Sequence, residues 1–563
     1  MKKILYLVTC LLVFASCEDF LDTDNYVKKN TGNWPISESD AEELLTGVYA
    51  TLADVTTNAA DSYFYLAELA SDERFGGGGE NDKDMQGFDK LMNTKNDRML
   101  TFWQGRYQGI YRANMGLETE GNWADAVTTE VRNRIIGEIH FLRAFFYHEL
   151  METFENIPLV LSTEPENIPQ ADPDLVYGQI AYDLKTAIGI MSGKPGVGHA
   201  TKWDAQALMA RVYLFYTGFY GKSSMPLGNG EGENVGTVTQ QEVVAWLEDC
   251  INNSGHSLVP DFRELWSYTN PYTAPYYPYA NGLDWAEDGD NPEQMFSIKY
   301  SIMADWNTSQ TGYSNQYALH MSLRSTNGGE GTFPFGRGWG AGPVSTTLWN
   351  EWAAAEPNDM RRVASIVDVD AELADYKYGE DTQMEETGYW QKKIINIQGI
   401  DEEGTRWDLF GTPMYGAQND IGLGSVADLI LIRFADVLLM HSELTETVTG
   451  INRVRARAGL NPISAYTIGA LKNERRFELA FEGRRWADIR RWGDAETLLD
   501  KRLGTNVINN GVTTPVKAFG GGYSARYKAT RGFFKIPESQ ITLSEGVLVQ
   551  NPGWGSEAEY NGW

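Results

Sequence analysis

The chain has 563 residues, 42% of them hydrophobic and 12% aromatic, which is enough for a large core and, by length alone, for several domains. Its 77 acidic residues against 47 basic ones give a formal net charge of −30. A surface of that sign repels phosphate backbones and argues against nucleic acid as a partner.

The chain opens with a targeting pattern. Lys2 and Lys3 precede the apolar run Ile4 to Ala15, which is too short and too N-terminal for a working membrane span. Ala15-Ser16-Cys17 resembles a bacterial lipoprotein cleavage site, although Phe14 stands where leucine is preferred. Residues 1–16 are therefore expected to be removed as a signal peptide, leaving Cys17 as the acylated end of a tail that runs to residue 39. Acyl chains anchor a protein to a membrane without spanning it. With Cys10 gone and Cys17 lipidated, Cys250 stands alone, which excludes an internal disulfide and a cysteine-based zinc site.

Residues 40–220 read as helices. Trp103, Tyr107, Ile110 and Asn114 keep a helical period, as do Ile135, Ile139, Leu142, Phe145 and Phe146 and, later, Ala205, Leu208, Val212 and Phe215. The Gly76 to Gly79 run lacks the strand before it and the Lys-Ser/Thr after it that a phosphate loop requires, and is expected to be a surface loop. His140 and His148 fall in an apolar helix, where packing or hydrogen bonding is expected over ligation.

From 221 to 425 the periodicity breaks down in sequence rich in Gly, Pro, Asn and Tyr, such as Asn270 to Asn281 and Asn327 to Gly342. Its aromatic density argues for an ordered, functional insertion. A short strand is expected within Asn291 to Tyr300. Asp284, Asp288 and Asp290 belong to an oxygen-rich cluster that offers a weak calcium site, without the spacing of an EF-hand loop; no other cofactor is indicated. G-x-x-x-x-G-K-[ST], G-x-S-x-G, H-E-x-x-H and C-x-x-C are all absent, and nothing singles out a carboxylate pair for glycoside hydrolysis.

Residues 426–495 return to helical spacing, and 496–563 form a closing segment. Within them lies Asn473 to Gly493 (NERRFELAFEGRRWADIRRWG), whose Phe477, Phe481, Trp486, Ile489 and Trp492 recur as one buried helical stripe. Glu474, Glu478 and Glu482 would form a repulsive row unless Arg475, Arg476, Arg484 and Arg485 sit against them, so these acids and arginines are expected to form one network. Gly483 costs roughly 1 kcal/mol inside a helix, which points to a close approach of another helix.

That stretch resembles the C-terminal signature of the SusD/RagB family of surface nutrient-binding lipoproteins of Bacteroidetes. LILIRFADVLL at Leu429 to Leu439, INRVRARAGL at Ile451 to Leu460, FKIPE at Phe534 to Glu538 and QNPGW at Gln550 to Trp554 resemble its neighbouring blocks. WQGRYQGIYRAN at Trp103 to Asn114, EIHFLRAFFY at Glu138 to Tyr147 and TKWDAQALMARVYLF at Thr201 to Phe215 match N-terminal blocks in the family's order. One departure is the short connection His441 to Gly450.

The resemblance implies a mostly α fold: a tetratricopeptide-like scaffold of helix pairs with a large irregular, loop-rich insertion carrying short strands. It also implies a non-catalytic role at the outer face of the outer membrane, capturing oligosaccharide for a SusC-like TonB-dependent transporter. Glu18, Asp19 and Asp22 after Cys17 resemble the surface-export signal of these bacteria. Glycans present apolar C–H faces and a rim of hydroxyls, so their sites need flat exposed aromatics beside hydrogen-bonding side chains. The insertion offers Tyr276, Tyr277, Trp285, Trp306, Tyr313 and Trp339, with Asn281 and Asp305 alongside. A second rim is Arg74, Phe75, Asn81 and Phe88. The same scaffold binding peptides or another nutrient is the alternative, and a surface glycoside hydrolase a more distant one.

Overall fold

A computed structural model describes residues 34–54, 59–94, 97–193, 196, 198–286, 291–307 and 311–562. The expected signal peptide at 1–16, Cys17 and most of the expected tail lie outside them. The fold is mostly α, and the long helices run in pairs as in tetratricopeptide proteins. Glu38–Asp54 packs on Leu100–Glu118, Leu100–Glu118 on Thr129–Phe154, Thr129–Phe154 on Pro173–Ile190, and Pro173–Ile190 on Lys202–Tyr220.

Local chemistry sets these boundaries. Thr128 and Asp172 each cap a helix start with a side-chain oxygen, Pro173 occupies the first turn, and Thr201 with Asp204 forms a capping box. Helix Lys202–Tyr220 ends where Gly221 turns left-handed at φ 64°. The central helix Thr129–Phe154 is buried at every position from Ile135 onward, so its polar residues need partners. Asp183 accepts hydrogen bonds from Arg143 at 2.9 and 2.7 Å and sits 2.6 Å from His140. Burial raises the Asp183 pKa, yet Arg143 and His140 outweigh it and hold the carboxyl near 2.

The scaffold resumes after the insertion as a strand. Leu429–Arg433 pairs antiparallel with Gln294–Ile298 and only then passes into helix Phe434–Thr445, which packs on Gln240–Asn253 and Ile468–Glu478. The reading of pure helix from 426 is corrected by this: LILIR is an alternating β-branched run, and the partner strand is the one expected near Asn291 to Tyr300. The insertion has its own core around Phe262, Trp266, Tyr268, Phe335 and Trp390.

Asn473 to Gly493 is also not one helix. Helix Ile468–Glu478 ends, residues 479–484 turn, and Arg485–Arg491 forms a second helix packed on Tyr63–Ala70 and Lys202–Tyr220. The turn uses left-handed backbone at Phe481 (φ 65°) and Gly483 (φ 69°). Gly483 donates its N–H to Glu68 at 2.7 Å, and a Cβ there would stand 2.9 Å from the Phe64 ring. A close approach is present, but it is a turn against a helix, and glycine serves its positive φ.

The expected charge network is corrected as well, because the three glutamates bind cations from elsewhere. Glu478 and Glu482 each accept from Arg433 at 2.6 Å, Glu474 and Glu478 from Arg361 at 2.7 and 2.8 Å, and Glu482 from Lys393 at 2.6 Å. The arginines of the stretch reach outward in turn: Arg475 to Asp436 at 2.8 Å, Arg476 to Glu73 at 3.0 Å and Arg485 to Asp72 at 2.7 Å. Every one of these side chains is buried, so the network ties insertion, N-terminal half and C-terminal helices together.

Candidate functional site

The insertion buries most of its aromatics, and the exceptions mark a surface. Trp306 is 57% exposed, Tyr276 48%, Trp339 46% and Tyr313 45%, in a chain whose other tryptophans are mostly enclosed.

Trp306 and Tyr313 are held by one set of loops. The Trp306 indole donates to Asp420 at 3.1 Å and its ring lies over Gly422; Gln418 donates to the Ala304 carbonyl at 2.9 Å. Gln316, three residues after Tyr313, donates to the Gly422 carbonyl at 2.7 Å, and Ser301 N–H donates to the Tyr313 carbonyl at 2.8 Å. Asp305 accepts from Asn307 at 2.9 Å. Short helix Gln316–Met321, capped by Asn315, is thus the base of this group, and Trp339 is fixed to it through its N–H on the Leu319 carbonyl at 2.9 Å.

Trp339 is also joined to the N-terminal half. Arg324 donates to the Trp339 carbonyl at 2.9 Å, to Asp82 at 3.2 Å and to the Asp381 carbonyl at 3.0 Å. Exposed Asn81 therefore lies beside the Trp339 rim. Residues 74–79 form isolated β-bridges to Val344, Ala341 and Gln383, which carries this loop into the insertion. The expectation of a surface loop at Gly76 to Gly79 is corrected: all four glycines are buried, and a Cβ on Gly77 would meet the Gly340 carbonyl at 2.5 Å. Sequence reading missed Arg324, for which no local signal exists.

Several predicted contacts are withdrawn. Arg74 is buried against Glu68 at 2.7 Å and the Gly342 carbonyl at 2.9 Å, Phe75 and Phe88 are core residues, and Tyr277 is buried with its hydroxyl on Glu372 at 2.8 Å. None of them faces solvent: the insertion folds over the loop at 74–79, and Phe88, in helix Lys83–Lys90, packs on Tyr65 and on Phe534 of the closing segment. Tyr276 and Asn281 are exposed on the loop 270–281, which is bonded to residues 398–400. Trp285 is half-buried, edge-on to Phe410 at 5.4 Å, and lines a cavity of 470 Å³. Asp284 is exposed, while Asp288 and Asp290 lie outside the described residues. Among the described residues no group of three or more His, Cys, Asp or Glu is placed to hold a metal ion, and no helix is long and apolar enough to cross a membrane. Cys250 is buried and free, its thiol pushed up to about 12 by burial.

A family model described as "SusD family" matches residues 349–554, and one described as "Starch-binding associating with outer membrane" matches residues 19–214. The chain belongs to the SusD family. It is 24% identical over 494 residues to SusD-like protein P2 of Formosa agariphila, with 82% of each chain covered. A SusD-like protein of Bacteroides ovatus is 24% identical over 547 residues, covering 90% of this chain and 85% of the relative. Among solved structures, a laminarin binding SusD-like protein aligns with a TM-score of 0.68 at 24% identity, covering 92% of this SusD family chain and all of that one. Surface glycan-binding protein A from Bacteroides thetaiotaomicron in complex with laminarihexaose aligns at 0.70 and 19% identity, covering 92% and 99%. At such identities the structural likeness speaks to the fold.

Proposed function

We propose that this chain binds an oligosaccharide without cleaving it and passes it to a SusC-like TonB-dependent transporter, held at the outer face of the outer membrane by lipid on Cys17. The observation that carries the reading is the half-exposed trio Trp306, Tyr313 and Trp339 with Asp305, Asn307, Asn81 and Arg324 at its rim. Rings fixed by their own backbone and indole hydrogen bonds offer flat faces to sugar C–H groups at little entropic cost, and the amide and charged groups suit hydroxyls. The family and the glycan-binding relatives support the same conclusion. An affinity from micromolar to millimolar, about −8 to −4 kcal/mol, suits capture followed by release. Tyr276 and Asn281 are proposed as outlying contacts for a longer chain.

A glycan array followed by calorimetry and a reducing-sugar assay tests this reading. Saturable glycan binding with no new reducing ends is expected. Binding to peptides alone would move the scaffold to another nutrient, and released reducing sugar would make it a hydrolase. Cys17→Ala should shift the protein out of the membrane fraction; retention there would refute the anchor.

A further inference from the structure

We infer that the cavity behind the aromatic face is a second, partly enclosed subsite that takes one or two uncharged sugar rings, such as the end of a chain lying over Trp306. This rests on the glycan reading above. The cavity measures 470 Å³ and is walled by Trp266, Trp285 and Tyr415, with Ile302 at its rim. Tyr415 and Ile302 are 40% and 47% exposed, so the space opens to solvent beside them. Its size is at the lower end of small-molecule pockets, roughly 300–1,000 Å³, which admits a mono- or disaccharide and not a polymer.

Two observations point to a ligand. The Trp266 side chain is 4% exposed and stands in the cavity wall with Trp285 and Tyr415, an aromatic lining of the kind on which sugar rings stack. The mouth is also continuous with the surface already described. Ile302 follows Ser301, whose N–H is bonded to the Tyr313 carbonyl, and Tyr415 precedes the loop in which Gln418 and Asp420 hold Ala304 and Trp306.

Charge decides the class of sugar. Lys393 is matched by Glu482 at 2.6 Å, and Asp428 by Lys299 at 2.7 Å, so among the described residues no lining cation is left to pair with a carboxylate or sulfate. A uronic acid brought into such a space would carry an uncompensated charge, and the formal −30 of the whole chain opposes its approach. Neutral pyranoses have aromatic walls on which to stack.

The test uses the full chain in a non-glycosidic detergent, with calorimetry and saturation-transfer NMR against glucose, galactose, mannose, xylose, laminaribiose, cellobiose, maltose, glucuronate and galacturonate. At least one neutral sugar is expected to bind one-to-one, with a dissociation constant near or below about 1 mM and both uronates weaker by at least about tenfold. Trp285→Ala, which removes an aromatic wall, should weaken that sugar by about tenfold, and Ala427→Leu, which fills the space from another wall, should abolish it. Lys528→Ala, at an exposed ion pair to Glu496, should leave it unchanged. Binding of no neutral sugar, equal binding of the uronates, or binding that survives both cavity variants would overturn the proposal. The glycan-capture reading fails separately: it falls if no oligosaccharide on the array binds, whereas array binding that is lost in Trp339→Ala, with no small sugar bound, sinks the subsite alone.

Discussion

The C-terminal helices and the insertion use the same kinds of residue in opposite ways. Around Glu478 the scaffold encloses arginines and acids completely, with Arg433 bound to Glu293, Glu478 and Glu482 at 2.6 Å each. The insertion leaves Trp306 and Trp339 half in water. Buried charges whose donors are all taken fix geometry, because removing one partner strands the others in low dielectric. Exposed rings contribute little to folding and keep their faces for something else. Stability and the proposed recognition thus rest on different chemistry in different places.

The largest expected effect breaks the first half of this contrast. Arg433→Met leaves three buried glutamates short of a cation and should cost about 3–5 kcal/mol in urea unfolding, and a loss below about 1 kcal/mol would show the network to be energetically idle. Next is a buried acid of the insertion that has no cation beside it among the described residues. Glu386 accepts from Tyr376 at 2.6 Å and from the Gly379 N–H at 2.7 Å, and burial raises its pKa from 4.5 to about 7. The folded state then holds a proton that the unfolded state has lost, so stability falls as pH rises between 4.5 and about 7. Wild type should lose about 3 kcal/mol over that window relative to Glu386→Gln, and parallel pH profiles would remove Glu386 as the cause.

Trp306→Ala and Trp339→Ala probe the other half. Each should weaken glycan binding by about 1–3 kcal/mol in calorimetry while moving unfolding stability by no more than about 0.5 kcal/mol. A variant that lost stability and kept its affinity would reverse the comparison. The smallest effect is expected from Lys528→Ala, which removes an ion pair to Glu496 whose partners are 61% and 47% exposed. A cost under about 0.5 kcal/mol would set the exposed pair apart from Arg433, and a larger one would blur the distinction.

The helical half was legible in the sequence because a 3.6-residue period and caps such as Thr201 with Asp204 are local properties. The turn at Gly483 was not, since a glycine inside a helical apolar period reads alike in a helix and at a positive φ. The insertion lacks a period to tell faces apart, so buried Tyr277 and exposed Trp339 looked equivalent. Arg74 and Phe75 looked exposed beside four glycines, yet their cover comes from Gly342, 268 residues further along. Arg324 joins the rim through Asp82, Trp339 and Asp381, a convergence that exists only in three dimensions.

The bridging of residues 74–79 to 341, 344 and 383 has a kinetic side. The helical pairs are built from contacts close in sequence and can form early and locally. The rim at Asn81 and Trp339 closes only when segments 242 residues apart meet at Arg324 and Asp82, so loop-closure entropy must be met before it exists. If glycan is met at this rim as proposed, its recognition is among the last properties the chain acquires as it folds, and glycan-binding competence should lag behind the recovery of helical signal in refolding.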